Sequence, residues 1–213
     1  VVDAAIPEPV WAELDKRGWT LTKILNTHHH MDHVGANLAL KEKSGCQIIG
    51  PKADENRIPG IDVAVGEGDE VSVGSSKAKV FDVPGHTKGH IAYWFEADNA
   101  LFCGDTLFAM GCGRLFEGTP AQMYDSLNKF KTLPDETAVY CAHEYTQSNG
   151  RFALTVEPDN QALISRMAEV DEKRAKDLPT VPSNIGAEKA TNPFMRAASA
   201  AQLGEIRQLK DNF

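Results

Sequence analysis

All seven histidines of this 213-residue chain fall in three short segments: Thr27-His28-His29-His30-Met31-Asp32-His33, Gly85-His86-Thr87-Lys88-Gly89-His90 and Ala142-His143-Glu144-Tyr145. Histidines scattered over a surface or a core would not group in this way. A strand-like stretch stands ahead of each segment: Lys23–Asn26 (KILN), Ala78–Val83 and Ala138–Cys141. Such side chains converge where strands end on one edge of a sheet, so the grouping favours a sheet-based fold over a helical bundle.

The first segment carries the most chemistry. In an extended stretch after a strand, His28, His30 and Asp32 point to one side, and His33 follows at the turn into a helix. Two nitrogens two residues apart can grip one metal ion, and the adjacent Asp32 and His33 can serve a second, so the spacing predicts a dinuclear site. Imidazole and carboxylate donors together favour Zn²⁺, Fe or Mn over Ca²⁺ or Mg²⁺. Asp105, in Cys103-Gly104-Asp105-Thr106 at the end of a strand, is suited to bridge two ions, with His86 and His143 completing one each. An expression-tag remnant would sit at a terminus and would not be followed by Asp32 and His33. His29 and His90 read as supporting or structural side chains. Gly85, Gly89 and Gly104 allow sharp turns beside the histidines.

The rest of the chain reads as mixed α/β up to about Tyr145. Val34–Ser44 reads as a helix closed by Gly45, Cys46–Gly50 as a strand, then come short strands Val71–Val73, Ala78–Val83, Ile91–Phe95 and Ala100–Cys103. A helix around Pro120–Thr132 leads to the strand Ala138–Cys141. Beyond Gly150 the β signal stops. Leu163, Met167 and Val170 recur at helical spacing behind Asp159 as N-cap, and Leu203, Ile206, Leu209 and Phe213 line one side of a last helix. Leu178–Phe194, with several prolines, reads as a connecting loop. The expected organisation is an α/β domain over residues 1–149 and a helical domain over 150–213, too small for a core of its own and therefore packed on the first.

Composition narrows the partners. Thirty acidic against 22 basic residues give a formal charge of −8, which disfavours nucleic acid and anionic membranes. No apolar run approaches the roughly 18 residues of a membrane helix, so a soluble chain is expected. Four cysteines without CxxC spacing predict free thiols in a reducing compartment, the cytoplasm or the mitochondrial matrix. The start at Val1-Val2-Asp3, without a leader, predicts a processed or truncated product.

The motifs THHHMDHVGAN, PGHTKGH, FCGDTLF, GCGRLFEGT and YCAHEYT resemble the metallo-β-lactamase superfamily and, within it, closely resemble the glyoxalase II family of hydroxyacylglutathione hydrolases. The tail segments NPFMR (Asn192–Arg196) and IRQLKDNF (Ile206–Phe213) resemble that family's helical glutathione-binding domain. The resemblance implies an αββα sandwich with the metal site at one edge, here lacking the first strands. It makes His28, His30 and His86 ligands of one ion and Asp32, His33 and His143 ligands of a second, with Asp105 bridging. It puts glutathione contacts on Arg114, Leu115, Phe116, Tyr145, Arg207 and Lys210. This chain departs from the family in three places: Phe116 stands where some relatives have tyrosine, Ala4-Ala5-Ile6 replaces a Pro-Gly-Asp-like turn, and Ala197–Leu203 is shorter.

The implied activity is metal-dependent hydrolysis of S-(2-hydroxyacyl)glutathione, with Asp32 and Asp105 acting as the catalytic carboxylates through two divalent ions, Zn above Fe or Mn. A small-molecule substrate, no nucleic acid or membrane, and a monomeric chain are expected. The nearest rival is a glutathione persulfide dioxygenase with one iron, which resembles the chain at GCGR but lacks a comparable NPFMR tail. A β-lactamase would commonly carry cysteine where Asp105 stands, and a nuclease of this fold would want a basic surface. A non-enzymatic alternative is an inactive metal-binding fragment, yet seven His and Asp donors predict open coordination rather than a closed structural site.

Overall fold

The alternation of side chains along the strands sorts the apolar residues into three layers. In the computed structural model, which describes all 213 residues, the chain runs through α1 (Glu8–Arg17), β1 (Lys23–Leu25), α2 (Met31–Val34), α3 (Asn37–Ser44) and β2 (Gln47–Pro51). A 3₁₀ turn over Lys52–Arg57 follows, then β3 (Val63–Val65). These three strands form one parallel sheet in the order β1-β2-β3, and Val2 adds a parallel bridge to Leu25. Next come β4 (Glu70–Val73), β5 (Ser76–Asp82), β6 (Ile91–Phe95), β7 (Ala100–Gly104), a small ribbon of β8 (Leu107–Phe108) and β9 (Gly111–Cys112), α4 (Pro120–Lys131) and β10 (Ala138–Cys141). The remainder holds α5 (Thr146–Val156), α6 (Gln161–Ala175), β11 (Ser183–Asn184), α7 (Ile185–Thr191), α8 (Pro193–Arg196) and α9 (Ala200–Asp211). The second sheet has the order β11-β10-β7-β6-β5-β4.

Ile24 and Ile48 face outward from the first sheet onto Leu14 of α1 and Leu40 of α3, while their neighbours Leu25 and Ile49 face inward onto Val80, Tyr93 and Phe95 of the second sheet. On the second sheet, Ala92, Leu101 and Val139 turn the other way, onto Met123, Leu127 and Phe130 of α4. A period of two thus gives each sheet two buried faces and the molecule its αββα layering.

The carboxyl-terminal segment shares that outer core: Phe152, Ile185, Phe194, Leu203 and Ile206 are buried with the α4 residues. It also supplies β11, antiparallel to β10. Gly150 lies inside α5 against Met167 and Met110, a site of close helix packing. Several local expectations change. Leu178–Phe194 is not a loop but contains β11, α7 and the start of α8: Asn184 caps α7, Asn192 caps α8, and Pro193 occupies the first helical turn, where its missing N–H costs nothing. Asn160, not Asp159, caps α6 by accepting from the Leu163 amide. Val34–Ser44 is interrupted at Gly35–Ala36, where the Ala36 amide donates to the Ala4 carbonyl. Leu209 and Phe213 are 62% and 65% exposed; Arg207 takes the buried place beside Ile206 on α9. The helix α1 was not expected from the sequence.

Candidate metal centre

β5, β7 and β10 run in the same direction, β5 and β7 through antiparallel β6 between them. Their carboxyl-terminal ends therefore fall on one edge of the second sheet, and His86, Asp105 and His143 follow them. β1 delivers His28 and His30 to the same edge. Asp32 does not continue the extended segment; it sits with His33, whose place at a helical turn is as expected, on α2, with His30 as its N-cap. At Gly104 the backbone takes φ 49°, and a Cβ there would lie 2.3 Å from Thr27 Oγ1, so only glycine lets β7 pass so close beneath the first histidine segment.

The back side of each ring is tied down. The Thr27 hydroxyl donates to Asp3 Oδ2 (2.8 Å) and so accepts from His28 Nδ1–H (3.0 Å), leaving Nε2 of His28 a bare acceptor. His86 Nδ1–H donates to the Arg114 carbonyl (2.9 Å), leaving its Nε2 likewise bare. Both Nε2 atoms lie 3.1 Å from His30 Nδ1. Burial pushes His28, His30 and His86 below the ordinary imidazole value, so none is held protonated. Three neutral ring nitrogens facing one point share at most one proton among them, an arrangement that suits a cation.

A second set lies beside the first. His143 Nε2 is 3.3 Å and His33 Nε2 3.7 Å from Asp32 Oδ2. Asp105 spans both sets: its carboxylate is 3.4 Å from Nε2 of His33, His86 and His143. His33 Nδ1–H donates to Asp3 Oδ2 (2.8 Å), while His33 Nε2 and Asp105 Oδ1 are buried without a hydrogen-bond partner. Burial opposes charging His33, but Asp105 and Asp3 outweigh it and push the ring up to about 10. Burial likewise opposes the charged form of Asp105, and His143 and His33 hold its carboxyl well below the usual range. Donor atoms roughly 2.0–2.1 Å from a tetrahedral ion lie about 3.3 Å apart, close to these separations. The two His/Asp clusters fit a dinuclear metal site.

His29 and His90 have no free nitrogen. His90 Nε2 accepts from the Asp105 amide (3.1 Å), and its Nδ1–H donates to Thr106 Oγ1 (3.2 Å), whose hydroxyl donates to Val83; burial pushes this imidazole down to about 3. His29 Nδ1–H donates to Asp54 (3.1 Å), and its Nε2 accepts from Arg57 (3.1 Å).

A cleft of about 700 Å³ opens over the centre. Asp32, 55% exposed, faces it. Phe116 stands edge-on to His86 and His30 at 5.2 and 5.8 Å, and Tyr145 stacks on His143 at 4.9 Å. Arg114, Arg207 and Lys210 also line the cleft and bring three cations to it. Arg207 is buried, donating to the Cys112 carbonyl (2.9 Å) and pairing with Asp211 (2.8 Å); Lys210 donates to the Ser148 carbonyl (3.2 Å). Leu115 alone of the expected contacts does not line the cleft with its side chain, which packs against the outer core. A larger groove of about 970 Å³, lined by Trp19, Phe95 and Phe102 among others, contains no histidine and lies away from the chemistry. Sequence reading missed Asp3, whose carboxylate holds both Thr27 and His33 from 24 and 30 residues away; no spacing rule connects them.

The fold and the donor set define a protein of the metallo-β-lactamase class, and residues 1–143 match the family model described as the metallo-beta-lactamase superfamily. Residues 144–213 match the one described as the hydroxyacylglutathione hydrolase C-terminus. The chain is 54% identical to a hydroxyacylglutathione hydrolase of Methylococcus capsulatus, over all of this chain and 88% of that one. With that of Rhodospirillum rubrum it shares 56% identity over 94% of this chain and 78% of the relative. Among solved structures, that of ETHE1 from Myxococcus xanthus superposes with a TM-score of 0.72 at 30% identity, covering 97% of this chain and 78% of that one. The chain belongs to the hydroxyacylglutathione hydrolase (glyoxalase II) family.

Proposed function

We propose that this chain hydrolyses S-(2-hydroxyacyl)glutathione thioesters, with S-D-lactoylglutathione giving glutathione and D-lactate, a methylglyoxal-detoxifying step. The observation that carries the reading is the meeting, in one cleft, of a two-set His/Asp edge with the cationic wall of Arg114, Arg207 and Lys210. In this reading His28, His30 and His86 hold one ion, Asp32, His33 and His143 hold a second, and Asp105 serves both; Zn is the first choice, with Fe or Mn as substitutes. Such ions supply an acidified water and polarise the thioester carbonyl. The protein's own groups do the rest. Asp3, Thr27 and the Arg114 carbonyl fix the ring tautomers, and Asp32 and Asp105 position the nucleophilic water. Arg114, Arg207 and Lys210 bind the carboxylates of glutathione, and Phe116 and Tyr145 flank the thioester. A thiolate leaves readily, so no general acid is required.

Relatives named hydroxyacylglutathione hydrolase at 54% and 56% identity support hydrolysis over persulfide oxidation. The division at residues 149/150, the contribution of Leu115 through its backbone and a monomeric state belong to the same proposal. So does a cytoplasmic location, in keeping with four free thiols. No helix is long and apolar enough to cross a membrane, and the bacterial relatives give the mitochondrial option no support. Metal-replete protein should consume the thioester absorbance of S-D-lactoylglutathione and release one thiol per turnover; no turnover would favour an inactive metal-binding fragment.

A further inference from the structure

Three segments that are distant in sequence meet at one guanidinium beside the first ligand set, and a fourth touches its carboxylate partners. Arg57, at the end of the 3₁₀ turn, donates through Nε to Asp54 Oδ1 (3.1 Å) and pairs with it again through Nη2. Its Nη1 donates to Glu117 Oε1 (2.6 Å) and to His29 Nε2 (3.1 Å), and its Nη2 donates to Glu117 Oε2 (3.1 Å). Asp54, with a side chain only 2% exposed, accepts from His29 Nδ1–H through its other oxygen. Glu117 accepts from the Lys88 amide (2.8 Å), and Arg57 holds its carboxyl down at about 2. Gly89 lies so near that a Cβ there would be 2.3 Å from Asp54 Cγ.

The cluster therefore joins the segment of His28 and His30, through His29, to the loop of His86, through Lys88 and Gly89. It also joins the loop carrying Phe116, through Glu117. None of its side chains is a candidate ligand, and both nitrogens of His29 are already used. The second set is backed differently: Asp3 holds His33, while Asp32 is exposed and His143 makes no hydrogen bond behind its ring.

We propose that Arg57, with Asp54 and Glu117, is a positioning residue that clamps the His28/His30/His86 set into its metal-binding arrangement. The inference rests on the ligand assignment of the proposed function. A planar fork that serves two carboxylates and an imidazole at once is what lysine cannot reproduce, and outer groups of this kind affect metal affinity about 10- to 100-fold.

The test is Zn²⁺ titration against a chromophoric chelator, with melting of the metal-free protein alongside. Wild type should bind two ions, and failure to do so would overturn the ligand assignment itself. Given two ions, Arg57→Met should weaken one of them about 10- to 100-fold while the other keeps its wild-type affinity, and Arg57→Lys should recover only part of the loss. Carried into a His143→Ala background, in which only the His28/His30/His86 set remains intact, Arg57→Met should weaken the remaining ion by the same factor. Glu117→Gln, on an accessible loop, should act in the same direction and carries the test if Arg57→Met does not fold. Wild-type affinity for both ions in the variants, or equal weakening of both with a lowered metal-free Tm, would overturn the clamp.

Discussion

The histidine edge and the cationic wall line one cleft but are built by opposite means. The edge stands on strand ends, and three of its five imidazole rings are backed by a neighbouring carboxylate, hydroxyl or carbonyl: Asp3–His33, Thr27–His28 and Arg114–His86. The wall is made of long side chains, two of them from the last helix, anchored by single carbonyls of Cys112 and Ser148 and by Asp211. Alterations of the edge should therefore appear in the chemical step and metal content, and alterations of the wall in affinity for substrate.

The largest effect is expected at the residue that both proposed ligand sets share. Asp105→Asn should lower kcat by roughly a hundred-fold or more and release at least one ion, because the amide cannot supply the charge that two cations need; steady-state rates with elemental analysis check this. Asp3→Asn keeps the acceptor facing His33 but removes its charge, and should weaken metal binding about ten-fold or more in chelator competition, with substrate KM little changed.

On the wall, Arg207→Ala with Lys210→Ala should raise KM for S-D-lactoylglutathione roughly ten- to a hundred-fold, taking ~1.5–3 kcal/mol for charge-assisted hydrogen bonds, while kcat hardly moves because such binding is uniform. The effect should shrink as salt rises. The two cations differ, however: Arg207 is 6% exposed and bonds the Cys112 carbonyl, so Arg207→Ala alone should also lower Tm, whereas Lys210→Ala should not.

The smallest effect concerns acid stability. The Glu117 carboxyl sits at about 2 in the folded chain against 4.5 for its ordinary value. A depressed folded value means that its ion pair stabilises the fold fully above about pH 4.5 and loses that contribution as pH falls toward 2. Metal-free wild type should melt slightly above Glu117→Gln at pH 7, and the two curves should converge as pH approaches 2.

The same contrast explains what could be read from the sequence. The edge was legible because its donors are packed into short motifs and preceded by alternating apolar runs: Ala138–Cys141 is a strand as expected, and His28, His30, His86, Asp105 and His143 all meet. Its supports were not legible. Asp3 reaches His33 across 30 residues and Arg57 reaches Glu117 across 60, and no local propensity records such pairs. Helix α1 buries only Leu14, too little for a visible apolar stripe. The segment from Leu178 to Phe194 reads as a loop because of its prolines, yet Pro193 starts α8 rather than breaking a helix. In α9 the periodic apolar positions Leu209 and Phe213 were misleading, since a charged residue, Arg207, occupies the buried face once it finds a carbonyl partner.

The most direct test compares two thioesters on the metal-replete wild-type protein: S-D-lactoylglutathione and the lactoyl thioester of a small neutral thiol. If edge and wall act together, kcat/KM should favour the glutathione ester by about ten-fold or more, and most of that preference should be lost in the Arg207→Ala/Lys210→Ala protein, which keeps only Arg114, with the neutral ester turned over equally by both. Equal kcat/KM for the two esters in wild type would contradict the account.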